Sequence, residues 1–475
     1  SQLNFQKKLL GGKNKENQEI LLLVNRFQAF IQEGTPGFFS TEELEDLFWH
    51  YFSSLDLDWA LEVVQYGLQT YPYHGFFLIR KAQISLADTQ WEECLNLLEQ
   101  AEVLEPNNHE VFLLRGTAYD LQGKTREALK AFRKAEEMAH EDKMQVHAAL
   151  GHFYQNREKY ATALHYYKSA LPLAEENPEI LYELGFSYFQ LGEDEEGFKV
   201  FQQYCYDYPF NDAGWYNLGT ICNRLNRFEK AKEAFEFALA LDEQNITFEF
   251  SLGNTLLNLN QPADALTHFL EAFRQEDGNA MFATSIAVCH EKLNELDVAL
   301  YWYRKAAELD PHLPDPQLGI GYCFLLKNEL DPAHQYLSKA VSMEPTNADF
   351  RYHLAETLAR MNREEEAIEQ YRASLNLDPE FVEARVELGN LLTEMGYEQE
   401  GIQLFRDGKK IHFDDPYFMY RFSGFLLEHG MNEEGLNNLQ ESLHNNLNDL
   451  SIFEEYHGDL LLIPSVKAII DQFRC

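Results

Sequence analysis

One small residue returns through this chain at a nearly constant interval. At the centre of successive apolar stretches stand Ala82, Gly116, Gly151, Gly185, Gly219, Gly253, Ala287, Gly321, Ala355, Gly389 and Ser423. Each lies 34 residues after the last, apart from one step of 35 between Gly116 and Gly151. Phe48 fills the slot one interval before Ala82 and is the only large member of the series. Twelve residues after each comes a second small residue: Ala60, Cys94, Ala128, Ala163, Gly197, Ala231, Ala265, Ala299, Ala333, Ala367, Gly401 and Gly435. Self-similarity at this period means a repeat architecture. Two helices pack at short axial distance only where a side chain is nearly absent, so the two small residues predict a pair of helices crossing in every repeat.

The apolar pattern around those positions has helical period. Trp215, Leu218, Gly219 and Cys222 form one stripe, and Phe228, Ala231, Phe235 and Ala238 the next. Pro72, Pro106, Pro209, Pro311, Pro345 and Pro379 follow second helices, where a proline stops the chain from continuing as helix. The run Trp215, Leu218, Gly219, Ala231, Phe235 resembles the tetratricopeptide repeat, with Cys222 standing where that family usually has Tyr. Gly116, Tyr119, Ala128 and Phe132 repeat the pattern one interval earlier. The resemblance implies an all-α fold, a right-handed superhelical solenoid of antiparallel helix pairs. Twelve repeats are expected over residues 41–449, an N-terminal arm and capping helix over 1–40, and a partial repeat with a capping helix over 450–475.

Both ends fit an array that must close off its outer faces. Ile20, Leu23, Val24, Phe27, Phe30 and Ile31 make an apolar stripe, ended by Gly34 and Pro36, and Ser40 with Glu43 reads as a capping box opening the first repeat. The extra apolar pair Leu21 and Leu22 offers a homodimer contact as an alternative use of this helix. Gly458 begins an incomplete thirteenth copy, and Val466 to Phe473 a terminal helix.

Charge narrows the partners. Lys and Arg number 39 against 78 Asp and Glu, a net charge of −39, which repels phosphate backbones and anionic lipid surfaces. Nucleic acid and membrane are therefore not expected as partners. The one basic block, Lys7, Lys8, Lys13 and Lys15, reads as a solvated arm, with contact to the acidic body or to a partner as the alternative. No apolar run is long enough to span a bilayer and no signal-like segment is seen, so a cytoplasmic location is the expectation, although a leader removed before Ser1 would leave no trace. The six cysteines lack paired spacing, and all except Cys475 sit inside apolar helical patterns, which argues against disulfides or zinc.

Catalytic motifs are missing where they would be sought. His109, His140 and His290 are each followed by Glu, but none has the second His of a zinc protease helix. Gly319 and Gly321 start a GxG without the third glycine of a dinucleotide site, and neither a Walker loop nor a GxSxG elbow occurs. The expectation is a chain without catalysis, cofactor or metal.

What remains is a surface. Counting the recurrent small residue as position 8, positions 2, 5, 9, 12 and 13 fall opposite the buried stripe of each first helix, and the family resemblance implies that they line an inner groove for a peptide or partner helix. Over the twelve repeats these positions carry Glu42, Glu45, Glu110, Asp120, Glu179, Glu291, Asp315, Asp349, Glu356, Glu383, Glu394 and Glu428 against only Arg224, Lys292 and Arg360. An acidic groove favouring a basic or aromatic segment follows. Its chemistry concentrates in Tyr182, Phe186, Phe189, Tyr216, Thr220, Asn223, Arg224, Phe250, Asn254 and Asn258: aromatics bury large area with few rotors, and Asn can pair with a backbone donor and acceptor together. Tyr417 and Tyr420 form a second cluster, for another partner or for the C-terminal cap. Position 5 is never Lys, so the resemblance does not extend to co-chaperones that grip acidic chaperone tails, although Asn217, Asn254 and Asn390 are present. The reading is a protein-interaction scaffold; the alternatives are a self-assembling structural protein and the regulatory subunit of a separately encoded enzyme.

Overall fold

Residues 20–140, 143–175 and 177–474 are described by a computed structural model, and the basic arm of residues 1–19 lies outside them, as does Cys475. The chain divides into two compact units, Ser1–Leu241 and Asp242–Cys475. Among the described residues there is helix and turn but no strand. Each unit is a solenoid of stacked antiparallel helix pairs.

In the first unit the pairs are Thr41–Ser53 with Leu57–Thr70, Gly75–Ala87 with Trp91–Leu104, His109–Leu121 with Thr125–Met138, Lys143–Gln155 with Tyr160–Ala170, Glu179–Leu191 with Asp194–Asp207, and Asp212–Arg224 with Phe228–Leu241. The second unit has Ile246–Asn258 with Pro262–Gln275, Ala280–Lys292 with Leu296–Leu309, Asp315–Leu326 with Leu330–Met343, Ala348–Arg360 with Glu364–Leu377, Val382–Glu394 with Glu398–Ile411, and Pro416–Glu428 with Asn432–Asn446. The small residues stand where the pairs cross. Ala60, Cys94, Ala128, Ala163, Ala231, Ala265, Ala299, Ala333 and Ala367 are fully buried.

Local chemistry marks each boundary. Asn108, Asn211, Asn245, Asn279, Asn347 and Asp415 precede first helices and accept backbone N–H groups of the opening turn, a contact that stabilises a helix by about 1 kcal/mol. Between the two helices of every pair one residue adopts the left-handed conformation: Leu55, Thr89, Gly123, Glu158, Gly192, Asn226, Asn260, Asn294, Asn328, Asn362, Gly396 and Gly430. Gly and Asn tolerate that backbone best, which explains nine of the twelve choices.

A helix over residues 20–33 covers the open face of the first pair. Val24 and Phe27 are buried beside Phe39, Leu44 and Val64, and Arg26 pairs with Glu43 at 2.5 Å. The Ser40 capping box is present in both directions: the Glu43 amide donates to Ser40 Oγ at 3.2 Å, and the Ser40 amide to Glu43 Oε2 at 2.9 Å. Leu21 and Leu22 point away and stay exposed. At the other end Pro464–Arg474 buries Val466 and Ile470 against Leu439 and Leu443. Among the described residues no helix is long and apolar enough to cross a membrane.

Candidate protein-interaction surface

Positions 2, 5, 9, 12 and 13 of the first helices are not uniformly open: Ile79, Leu325, Val386 and Leu427, all expected on the groove face, are buried, and the two units differ in what the remaining positions display. In the first unit Glu179–Leu191 exposes three large rings along one face: Tyr182, Phe186 and Phe189 keep 41%, 42% and 53% of their surface. Other rings are exposed singly, among them Tyr206 and Phe210, but here three stand in one row, so this face has apolar area to give to a partner. Tyr182 meets Tyr216 with ring centroids 5.7 Å apart, and Tyr216 leans on the buried Phe235 at the same distance. Phe186 stands edge-on to Tyr160 at 5.9 Å. Burial holds the Tyr182 phenol above its usual pKa, which keeps it a neutral hydrogen-bonding group.

The neighbouring polar residues are already engaged. Arg224 Nε donates to Asp194 Oδ1 at 2.9 Å while its guanidinium lies 5.3 Å from the Phe189 ring, so its charge is spent inside the unit. Thr220 Oγ1 donates to the Tyr216 carbonyl at 3.0 Å, and Asn223 is half-buried. In the second unit Phe250 packs against Phe269 and Phe282 at 5.6 and 5.3 Å, which makes it partly core. Asn254 is half-buried and Asn258 exposed on the same helix.

The acid excess counted from the five positions is partly neutralised by side chains outside them. Arg80 reaches Glu110 at 2.5 Å and Arg157 reaches Asp120 at 2.6 Å, both from the adjacent repeat. Arg360, one of the counted bases, takes Glu356 at 2.6 Å, and the His457 imidazole hydrogen-bonds Glu428 at 2.7 Å. In the second unit Glu291, Asp315 and Asp349 wall a pocket of about 380 Å³ together with Tyr322 and His353, whose Nε2 stands 3.6 Å from Asp349 Oδ1. Among the described residues neither Glu291 nor Asp315 is ion-paired with Lys or Arg, and burial pushes both carboxyls above the usual range. The Tyr303 hydroxyl donates to Glu291 Oε2 at 2.7 Å.

One further feature was not visible in the sequence pattern. A largely apolar pocket of about 500 Å³ opens on the other face of the first unit, where Trp215 stacks on Phe237 at 4.6 Å above Cys205 and Cys222. The stripe of Trp215, Leu218 and Cys222 is thus not wholly covered. The cluster of Tyr417 and Tyr420 faces the chain's own C-terminal segment: Tyr420 is fully buried and donates to the Asn446 carbonyl at 2.8 Å, and Tyr417 meets Tyr456 at 5.8 Å. Among the described residues no group of His, Cys, Asp or Glu is arranged to hold a metal.

Comparison with known proteins agrees with this architecture. Profiles described as tetratricopeptide repeat match residues 109–141, 149–212, 213–245, 250–314 and 330–375, together about half of the chain. The chain is a tetratricopeptide repeat protein. Proteins of this family bind other proteins and are generally non-catalytic. Among its relatives is the BBSome complex member bbs-4 of Caenorhabditis elegans, 27% identical over 146 residues, 30% of this chain and 31% of the relative. BBSome complex member BBS4 of Bos taurus is 23% identical over 216 residues, 46% of this chain and 41% of that protein. The match thus spans less than half the length of either relative. The crystal structure of yeast Tom70 is similar with a TM-score of 0.47 at 16% identity, covering 90% of this chain and 98% of that one.

Proposed function

We propose that this tetratricopeptide repeat protein is a non-catalytic, cytoplasmic scaffold that holds a peptide-like or helical segment of a partner protein on the groove face of its first helices. The observation that carries the reading is the row of exposed rings Tyr182, Phe186 and Phe189, continued by Tyr216. A strip of this kind supplies the buried aromatic anchors that dominate binding energy at protein interfaces. Because Arg224 is held by Asp194, the strip offers no unpaired cation of its own, which favours an aromatic or basic segment over an acidic one. In the second unit Phe250, Asn254 and Asn258 form a separate candidate surface on their own helix. That two relatives are named as members of a multi-protein complex supports an assembly role, without indicating the partner here.

The test is affinity capture at low salt, comparing wild type with the Phe186→Ala/Tyr216→Ala pair after far-ultraviolet circular dichroism has shown equal helicity. The reading expects a defined partner lost from the variant; identical captured proteins would overturn it. Self-assembly is a second reading, favoured by the outward Leu21 and Leu22 on the capping helix. Sedimentation separates the two, since an apolar self-contact persists or tightens when salt is raised while a charge-steered partner dissociates.

A further inference from the structure

The first helix of the last repeat, Pro416–Glu428, does not leave its groove positions open. Position 2, Tyr417, meets the ring of Tyr456. Position 5, Tyr420, lies 6.4 Å from the Phe453 ring, while its hydroxyl donates to the carbonyl of Asn446, which ends the second helix of the same pair. Position 9 is Gly424, the only glycine at that place in the twelve repeats, and a Cβ there would fall 2.1 Å from the imidazole of His457. Position 13, Glu428, accepts a hydrogen bond from His457 Nδ1 at 2.7 Å. Arg421 adds a clamp, its guanidinium 4.0 Å from the Tyr456 ring and 3.1 Å from Glu387 of the preceding repeat. The contacts are those expected of a bound segment: rings on rings, an imidazole on a carboxylate, and a notch cut to the size of the arriving side chain.

We propose that residues 447–463 are an intramolecular ligand of this groove, a strap that fills the last repeat as a partner's segment would fill others. The idea rests on the reading of the groove face as the binding surface, but its test does not need the outside partner. Released, the strap leaves a site formed by Tyr417, Tyr420, Gly424 and Glu428 that fits a segment bearing an aromatic ring followed by an imidazole. The atoms nearest to an added Cβ at Gly424 all belong to His457, so the glycine's value is the approach it permits.

The experiment uses the full chain and a labelled peptide with the sequence of residues 447–463, followed by fluorescence anisotropy. The Tyr456→Ala/His457→Ala variant, whose own strap is weakened, should bind the peptide at least tenfold more tightly than wild type, and adding Gly424→Leu should abolish that binding by filling the notch. Equal affinity for wild type and variant, or binding by neither, overturns the proposal. Hydrogen exchange on the wild type supplies a check that needs no substitution. Amides of 447–463 should exchange at least tenfold faster than those of Asn432–Asn446, because the strap opens while the helix pair stays closed; equal protection would make the segment ordinary core and overturn the idea. Loss of partner capture by the Phe186→Ala/Tyr216→Ala pair bears only on the first unit, so the two readings fail separately.

Discussion

A side chain at Gly219 would place its Cβ 2.8 Å from the ring of Phe235, sixteen residues further on and buried. The same relation joins Gly116 to Phe132, Gly151 to Tyr167, Gly253 to Phe269 and Gly389 to Phe405, each at 2.5 to 2.6 Å. The glycine of the first helix is the seat of the ring on the second. Gly219→Leu should therefore force the Phe235 ring or the helix outwards, a cost of roughly 1–3 kcal/mol for overpacking. A lowered thermal midpoint by circular dichroism checks it, with Gly219→Ala intermediate. An unchanged midpoint for Gly219→Leu would mean that the two helices do not cross here.

The left-handed turn residue offers a gain rather than a loss. Thr89 and Glu158 hold φ of 61° and 57°, where Asn and Gly stand in most other repeats. Left-handed backbone costs a residue with a Cβ roughly 1–2 kcal/mol, and β-branching makes Thr89 the less suited of the two. Thr89→Gly is expected to raise stability by about 0.5–1 kcal/mol after the added unfolded-state entropy of glycine is subtracted. Denaturant melts should show Asn226→Gly nearly neutral beside it; a fall in stability for Thr89→Gly would contradict the strain argument.

How much of this was readable beforehand follows from what each feature requires. Helix crossing demands a small residue at a fixed interval, and Gly219 and Ala231 advertise it, so the solenoid was legible from one repeat and its copies. The left-handed slot was equally periodic, in Asn226, Asn260, Asn294, Asn328 and Asn362, and was there to be noticed. Charge on the groove was not, because Arg80 and Arg157 reach acids of adjacent repeats from outside the five counted positions, and only packing brings them there. The strap was only half legible, since Tyr417 and Tyr420 read either as a seat for the C-terminal cap or as a site for another partner. Nothing in residues 447–463 states which helix they return to, and Gly424 is informative only once His457 is seen lying on it.

The internal thiols should be chemically silent. Burial pushes Cys94 and Cys222 up to about 11, and Cys205, Cys289 and Cys323 up to about 12. A thiol reacts as its thiolate, so at pH 8 these five have neither the charge nor the access. In a Cys475→Ser background, titration with a disulfide reagent should find no fast thiol in the native protein and five after denaturation. Rapid reaction of Cys205 or Cys222 would show that the pocket beneath Trp215 opens to reagent.

Acid should loosen the strap. Burial holds His457 below the ordinary histidine value of 6.5, with Arg421 pushing the same way and the hydrogen bond to Glu428 opposing both. Phe453 is packed beside the imidazole at 5.6 Å, and its Nε2 is buried without a hydrogen-bond partner, so protonation places a charged donor where nothing receives it. The sign follows from linkage: a group whose folded pKa is depressed contributes stability that is full above its unfolded value and is lost as pH falls through the folded one. Exchange protection of residues 447–463, corrected for the intrinsic rate, should thus hold above pH 6.5 and decline below it, while the helices of the middle repeats keep theirs. His457→Gln, neutral at every pH, should remove that decline. Protection that rises on acidification would mean that the Glu428 contact outweighs burial and that the imidazole is held as a cation.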